Sequence, residues 1–256
     1  MANKNDYIAV FDSGLGGLSV LTELYRLMPK ERFLYYGDAA NAPYGNRSTE
    51  EVRRLTLDAA SRLVSRNVKA LVIACNTATA AAIKDLRKTY PDTIIIGIEP
   101  ALKLAADHYP DSRVGVLATP VTLREEKFSQ LAERFPNMQV HPIALPGLVE
   151  RIEQGCSEEE ITEFLRPVLS PYAGKLDAAV LGCTHYPFAA KSIRRVLGKD
   201  TILLDGAEGT ARETRRRLRK AELLSDGPGA FSLECSSKDM AFLRRCAALL
   251  EKTLAI

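Results

Sequence analysis

Short apolar runs alternate with longer amphipathic segments along the whole chain, and the alternation occurs twice in the same register. Strand-like runs fall at residues 7–11 (YIAVF), 32–36 (RFLYY), 70–74 (ALVIA) and 93–98 (TIIIGI). A second series follows at 113–117 (RVGVL), 140–145 (VHPIAL), 178–182 (AAVLG) and 201–205 (TILLD). Between them, segments 49–67 and 157–173 carry apolar residues three and four apart, the period of a helix with one buried face. Near-continuous apolar strands separated by helices fit parallel sheets covered on both faces. Val10 maps onto Val116 at an offset of 106, and Cys75 onto Cys183 and Thr93 onto Thr201 at 108. One unit used twice is the expectation.

The fold expected is therefore α/β: two similar flavodoxin-like domains with parallel sheets, related by a pseudo-twofold, with the active site in the cleft between them. The first domain is placed at residues 1–97 plus 208–256 and the second at 98–207. The final segment, rich in Leu, Ala and Arg, is expected to be helical and to pack back on the first domain.

Composition narrows the function. Thirty-five basic residues against 32 acidic ones give a net charge of +3, too balanced to require nucleic acid or an acidic membrane as partner. No segment approaches the roughly 18 consecutive apolar residues of a membrane span, and the N-terminus lacks an export signal, so a cytoplasmic protein is expected. Five cysteines without a C-x-x-C pair argue against a disulfide framework, and three histidines in no recognisable spacing give no support for a metal site.

Two stretches stand out, ALVIACNTATA (70–80) and AAVLGCTHYPF (178–188). Each apolar run stops at a cysteine, followed by polar residues and a helix-like segment. Open parallel sheets bind ligands beyond the carboxyl ends of their strands, which is where both cysteines fall. After Cys75, Asn and Thr can cap the coming helix, while Lys84, Arg87 and Lys88 suit its negative far end. The same logic applies after Cys183, with Gly198 as terminator. A thiol near a helix start can supply thiolate near neutral pH. Two acid–base groups on opposite faces of one carbon can take a proton from one side and return it from the other, inverting a stereocentre. The plainer reading, that each cysteine is a small apolar residue closing a strand, explains neither the pairing nor the polar neighbours.

On these residues the chain resembles the glutamate racemases of the cofactor-independent Asp/Glu racemase family. The likeness is carried by four ordered motifs: FDSGLGGLSV (11–20), YYGDAANAPYG (35–45), ACNTATA (74–80) and GCTHYPF (182–188). It implies that Cys183 takes the α-proton from L-glutamate and Cys75 takes it from D-glutamate. It makes Asp12 the partner of Cys75, His185 the partner of Cys183, and Glu150 a further acidic helper. Substrate contacts implied are Asp12 with Ser13, Tyr44 with Gly45, Asn76 with Thr77, and Thr184 with His185. The resemblance also implies D-glutamate for peptidoglycan as product, a homodimer, and neither metal nor pyridoxal phosphate.

Plainer roles remain open for several of these residues. Asp12 and Ser13 could cap the following helix, and His185 could be a core histidine. SGLGG has neither dinucleotide-fold nor P-loop spacing. His108, His141, Cys156, Cys235 and Cys246 read as structural, and the basic run at 211–220 as a solvated helix face, with a nucleic-acid role weakly supported. The competing functions are an aspartate or related racemase, against which His185 after the second cysteine argues, and a two-lobed amino-acid-binding regulator without catalysis.

Overall fold

The computed structural model describes residues 2–98, 101–124, 133–237 and 239–254. In chain order these form β1 (Tyr7–Asp12), α1 (Leu18–Leu27), β2 (Arg32–Gly37), α2 (Thr49–Val64), β3 (Val68–Ile73), α3 (Asn76–Thr89) and β4 (Ile94–Gly97). The chain continues through α4 (Ala101–His108), β5 (Arg113–Ala118), α5 (Pro120–Arg124), β6 (Gln139–Ala144), α6 (Leu148–Glu153), α7 (Glu158–Leu169), β7 (Ala178–Gly182), α8 (Ala190–Leu197) and β8 (Ile202–Leu204). It ends with α9 (Ala207–Lys220), β9 (Ala230–Cys235) and α10 (Met240–Leu254). The contacts divide the chain into two compact units, Met1–Glu99 with Ala207–Ile256, and Pro100–Gly206.

Each unit holds one parallel sheet, so the α/β class with two parallel sheets read from the sequence is the class observed. The first sheet runs β4-β3-β1-β2-β9 and the second β6-β5-β7-β8. Read from its β8 edge, the second sheet repeats the first four strands of the other, β8-β7-β5-β6 against β4-β3-β1-β2. The internal repeat thus extends to topology, and the shared order is the flavodoxin-like one.

The central strands form where they do because they are buried on both faces. All six residues of β3 and the last five of β1 are buried. The helices start on local signals. Ser48 accepts the Glu51 amide at 3.2 Å to cap α2. Ser157 and Glu160 close a reciprocal capping box on α7, satisfying two amides that a helix start leaves open. Core clusters lie around Phe11, Leu34, Leu71 and Leu86 in the first unit, and around Leu117, Leu148, Leu165 and Leu181 in the second.

One expectation fails. The last segment is not wholly helical: residues 230–235 form β9, an edge strand pairing in parallel with β2 from Arg32↔Ala230 to Gly37↔Cys235. Helices α9 and α10 flank it and both contact α1. At the opposite, amino-terminal end of this sheet sits a fully buried ion pair. Lys69 Nζ donates to Glu31 at 2.5 Å and to the Lys4 and Leu223 carbonyls, while the other Glu31 oxygen accepts the Ser225 amide at 2.9 Å.

The basic run lies on α9, whose Ala211, Thr214 and Leu218 are buried while Arg212 and Arg216 stay exposed in ion pairs with Glu208 and Glu213. Among the described residues no disulfide joins any two cysteines, and no helix is long and apolar enough to cross a membrane.

Candidate active site

In the first unit, the carboxyl ends of β1, β2 and β3 bring one set of expected residues together. Asp12 ends β1 directly opposite Gly37, and the Ala74 amide bonds the Phe11 carbonyl, so Cys75 leaves β3 beside Asp12 and Ser13. Cys75 and Asp12 are both buried. The Ser13 hydroxyl lies 3.5 Å from Cys75 Sγ, and the Ala78 amide donates to the same sulfur at 3.5 Å. The sulfur itself is thus the N-cap of α3, with Cys75 extended at φ −65° and ψ 121°. Asn and Thr, the capping candidates of the sequence, do not take that place; the helix already begins at Asn76.

Loop 13–17 is held closely. Gly14 donates its amide to Asp12 Oδ1 at 2.9 Å, and the Tyr35 hydroxyl donates to the Gly14 carbonyl at 2.6 Å. A Cβ on Gly17 would stand 2.6 Å from Asp12 Cβ, so only glycine lets α1 start this near the strand end. Tyr44 and Gly45 lie in a 3₁₀ turn, Tyr44–Asn46. The Tyr44 hydroxyl donates to Asp38 Oδ2 at 2.6 Å, and the Asn41 side-chain amide donates to the same carboxylate at 3.0 Å. Burial first, then Asp38, Cys75 and Asp12, push the Tyr44 phenol far above its ordinary value, so it stays neutral. Thr77 is buried on α3. Among the described residues Asn76 Nδ2 is a buried donor with no acceptor, a state costing about 1–3 kcal/mol that an acceptor from outside the chain would relieve.

In the second unit, Cys183 comes directly after the end of β7 and is buried with Thr184 and His185. Cys183 Sγ lies 3.8 Å from His185 Nδ1, and His185 Nε2 lies 2.8 Å from Glu153 Oε1 at the end of α6. A carboxylate on Nε2 fixes that nitrogen as the protonated one and leaves Nδ1 to accept from the sulfur. The acidic residue bonded to His185 is therefore Glu153, three positions beyond Glu150. Glu150 lines an open depression with Arg151, Cys156 and Phe164, and burial first, then the neighbouring Cys183 and Glu150, push the Tyr186 phenol well above its ordinary value. Glu153 was missed in the sequence although LVERIEQG places two glutamates one turn apart on a single helix face.

The two sulfurs also differ in their relation to the next helix. A 3₁₀ turn, Tyr186–Ala189, precedes α8, and the Ala189 N-cap of α8 makes no side-chain bond, so Cys183 caps no α-helix as Cys75 does. Among the described residues, no three His, Cys, Asp or Glu side chains gather as a metal site would.

Two repeated flavodoxin-like sheets each deliver a buried cysteine past the end of the equivalent strand, and comparison with known proteins places this arrangement among the racemases. The Asp/Glu/hydantoin racemase profile matches residues 19–214, and the chain belongs to that family of isomerases. A glutamate racemase from Clostridium kluyveri is 48% identical over 229 residues, spanning 88% of this chain and 89% of its own. A solved glutamate racemase isoform from Bacillus anthracis superposes with a TM-score of 0.88 at 32% identity, covering 99% of this chain and 96% of that one. The glutamate racemase of Francisella tularensis, solved in complex with D-glutamate, gives 0.87 at 29% identity over 99% and 95% of the two chains.

Proposed function

We propose that this protein interconverts L- and D-glutamate by a two-base route. Cys183 takes the α-proton from L-glutamate, leaving a carbanion-like intermediate, and Cys75 delivers a proton to the opposite face; the roles exchange in the reverse direction. The observation that carries the reading is the recurrence of a buried sulfur after the same strand of each repeat, each with its own polar partners. Asp12 and the Glu153–His185 pair are the helpers of the two thiols, with Glu150 a further acidic group beside the second. Ser13, Tyr44, Gly45, Asn76, Thr77 and Thr184 supply hydroxyl and amide groups suited to the substrate's carboxylates. The buried Asn76 amide supports this, because a carboxylate oxygen is the acceptor it needs. The reaction uses neither metal nor pyridoxal phosphate, the active form is a homodimer, and D-glutamate goes to peptidoglycan in the cytoplasm.

Proton NMR of L-glutamate in deuterated water tests this directly: the α-proton signal should vanish as the D-isomer forms. Binding without exchange would instead favour an amino-acid-binding regulator, and equal turnover of aspartate in a chiral assay would remove the specificity.

The Glu153–His185 bond makes a separate prediction. Glu153→Gln keeps a polar partner but removes the charge that favours an imidazolium at His185. The maximal rate should fall about tenfold or more, the scale of a lost hydrogen bond to a charged group. An unchanged rate in Glu153→Gln would remove this residue from the mechanism.

A further inference from the structure

We propose that Ser13, besides facing the substrate, serves the enzyme's own sulfur: its hydroxyl donates to the Cys75 thiolate and so positions and stabilises that anion. The inference deepens the two-base reading above and rests on it for the role of Cys75.

The geometry behind it is local. Cys75 Sγ has the Ser13 hydroxyl and the Ala78 amide each at 3.5 Å, and it sits at the N-terminus of α3. A thiol can give its proton to Ser13 or receive one. A thiolate can only receive, so deprotonation turns the serine hydroxyl into an obligatory donor, and bonds to a charged acceptor are the stronger kind. Two converging donors and the helix start therefore favour the anion over the neutral thiol.

Other groups facing the sulfur set the balance. From β1, Asp12 brings a buried carboxylate whose negative charge opposes a second anion beside it, although its Oδ1 already accepts the Gly14 amide. From the 3₁₀ turn, Tyr44 stays neutral because burial and Asp38 hold its proton. The Ser13 and Ala78 donors on Cys75 thus work against the Asp12 carboxylate, and losing the Ser13 hydroxyl weakens the support of the anion. Solvent does not make up the loss, since Ser13 is only 6% exposed. The hydroxyl is also held in place beforehand. Its loop is fixed by the bond from Tyr35 to the Gly14 carbonyl and by the close approach of Gly17 to Asp12, so the donor needs no reorganisation when charge appears on the sulfur.

A serine that only held the substrate would influence binding, and the two roles separate experimentally. The measurement is the pH dependence of iodoacetamide alkylation at Cys75, read on its own peptide by mass spectrometry, with Cys183 followed in parallel. Native protein is compared with Ser13→Ala, with Ser13→Gly as a second hydroxyl-free variant and Ser13→Thr as the conservative replacement. The expected result is a Cys75 midpoint raised by roughly one pH unit in both hydroxyl-free variants, from the loss of a bond to a charged group. Threonine should restore it, and Cys183 should not move. In turnover, kcat at saturating glutamate should fall about tenfold, a loss that a change in KM alone does not produce. An unmoved Cys75 midpoint, with or without a rise in KM, overturns the proposal. The alkylation profile needs no catalysis, so it reports on Ser13 even if the protein fails to racemise glutamate, and that failure would count separately against the two-base reading.

Discussion

Replacing Cys75 by serine should slow racemisation of glutamate by roughly 10²–10⁴-fold, and Cys183→Ser should do the same. A hydroxyl holds its proton far more tightly than a thiol, whose ordinary pKa is about 8.5, so neither serine can trade a proton with the α-carbon near neutral pH. The side chains are nearly the same size, and both sites are buried, so the fold should survive the change. The variants should part company in isotope washout. With Cys183 intact, Cys75→Ser should still exchange some α-hydrogen of L-glutamate with solvent. With Cys75 intact, Cys183→Ser should do so for D-glutamate. Chiral chromatography and NMR on each variant read both quantities. Turnover within a few-fold of native in either variant would end the two-base scheme.

The second large effect is on stability. Lys69→Met should destabilise the first unit by about 3–5 kcal/mol, because Glu31 is left as a buried charge without its cation. That is a substantial share of the roughly 5–15 kcal/mol that keeps a typical domain folded. The pair also ties four stretches of chain together: Lys4 before β1, Glu31 before β2, Lys69 in β3, and Leu223 with Ser225 after α9. The thermal midpoint should drop by about 10 °C. A double variant, Lys69→Met with Glu31→Leu, should recover part of the loss, since an apolar pair of similar volume leaves no charge stranded. A single variant melting with the native protein would show that the pair holds nothing.

Burial decides how much of this was legible in the sequence. β1 to β5 and β7 are buried along nearly their whole length, so each is an almost unbroken apolar run that stands out from the amphipathic helices, while β6 and β8 are more exposed. β9 escaped because its apolar residues are interrupted by polar ones. Ala230 and Phe231 are exposed, the rest of the strand is half-buried, and Ser232 and Glu234 break the apolar pattern, so the segment passed for part of a Leu-, Ala- and Arg-rich helical tail.

In the site, residues close in sequence were readable together, as with Cys183 and His185. Groups joined only by folding were not. The Glu153 carboxylate meets His185 across 32 positions, and nothing in LVERIEQG says which of its glutamates does so. The N-cap of α3 was likewise hidden, because sulfur is not among the usual capping atoms and only the backbone turn at Cys75 brings it into place.

The placement of β9 bears on how the chain is made. Every residue of the second unit leaves the ribosome before the strand that finishes the first sheet, so α1 waits with a bare flank until the segment from Ala207 is made and β2 with an open edge until the segment from Ala230 is made. The inserted unit has all of its segments early and can close first. The earlier half becomes a finished body only when the tail arrives, and a translation halt just past residue 206 would release a chain with one sound half and one exposed, aggregation-prone sheet edge.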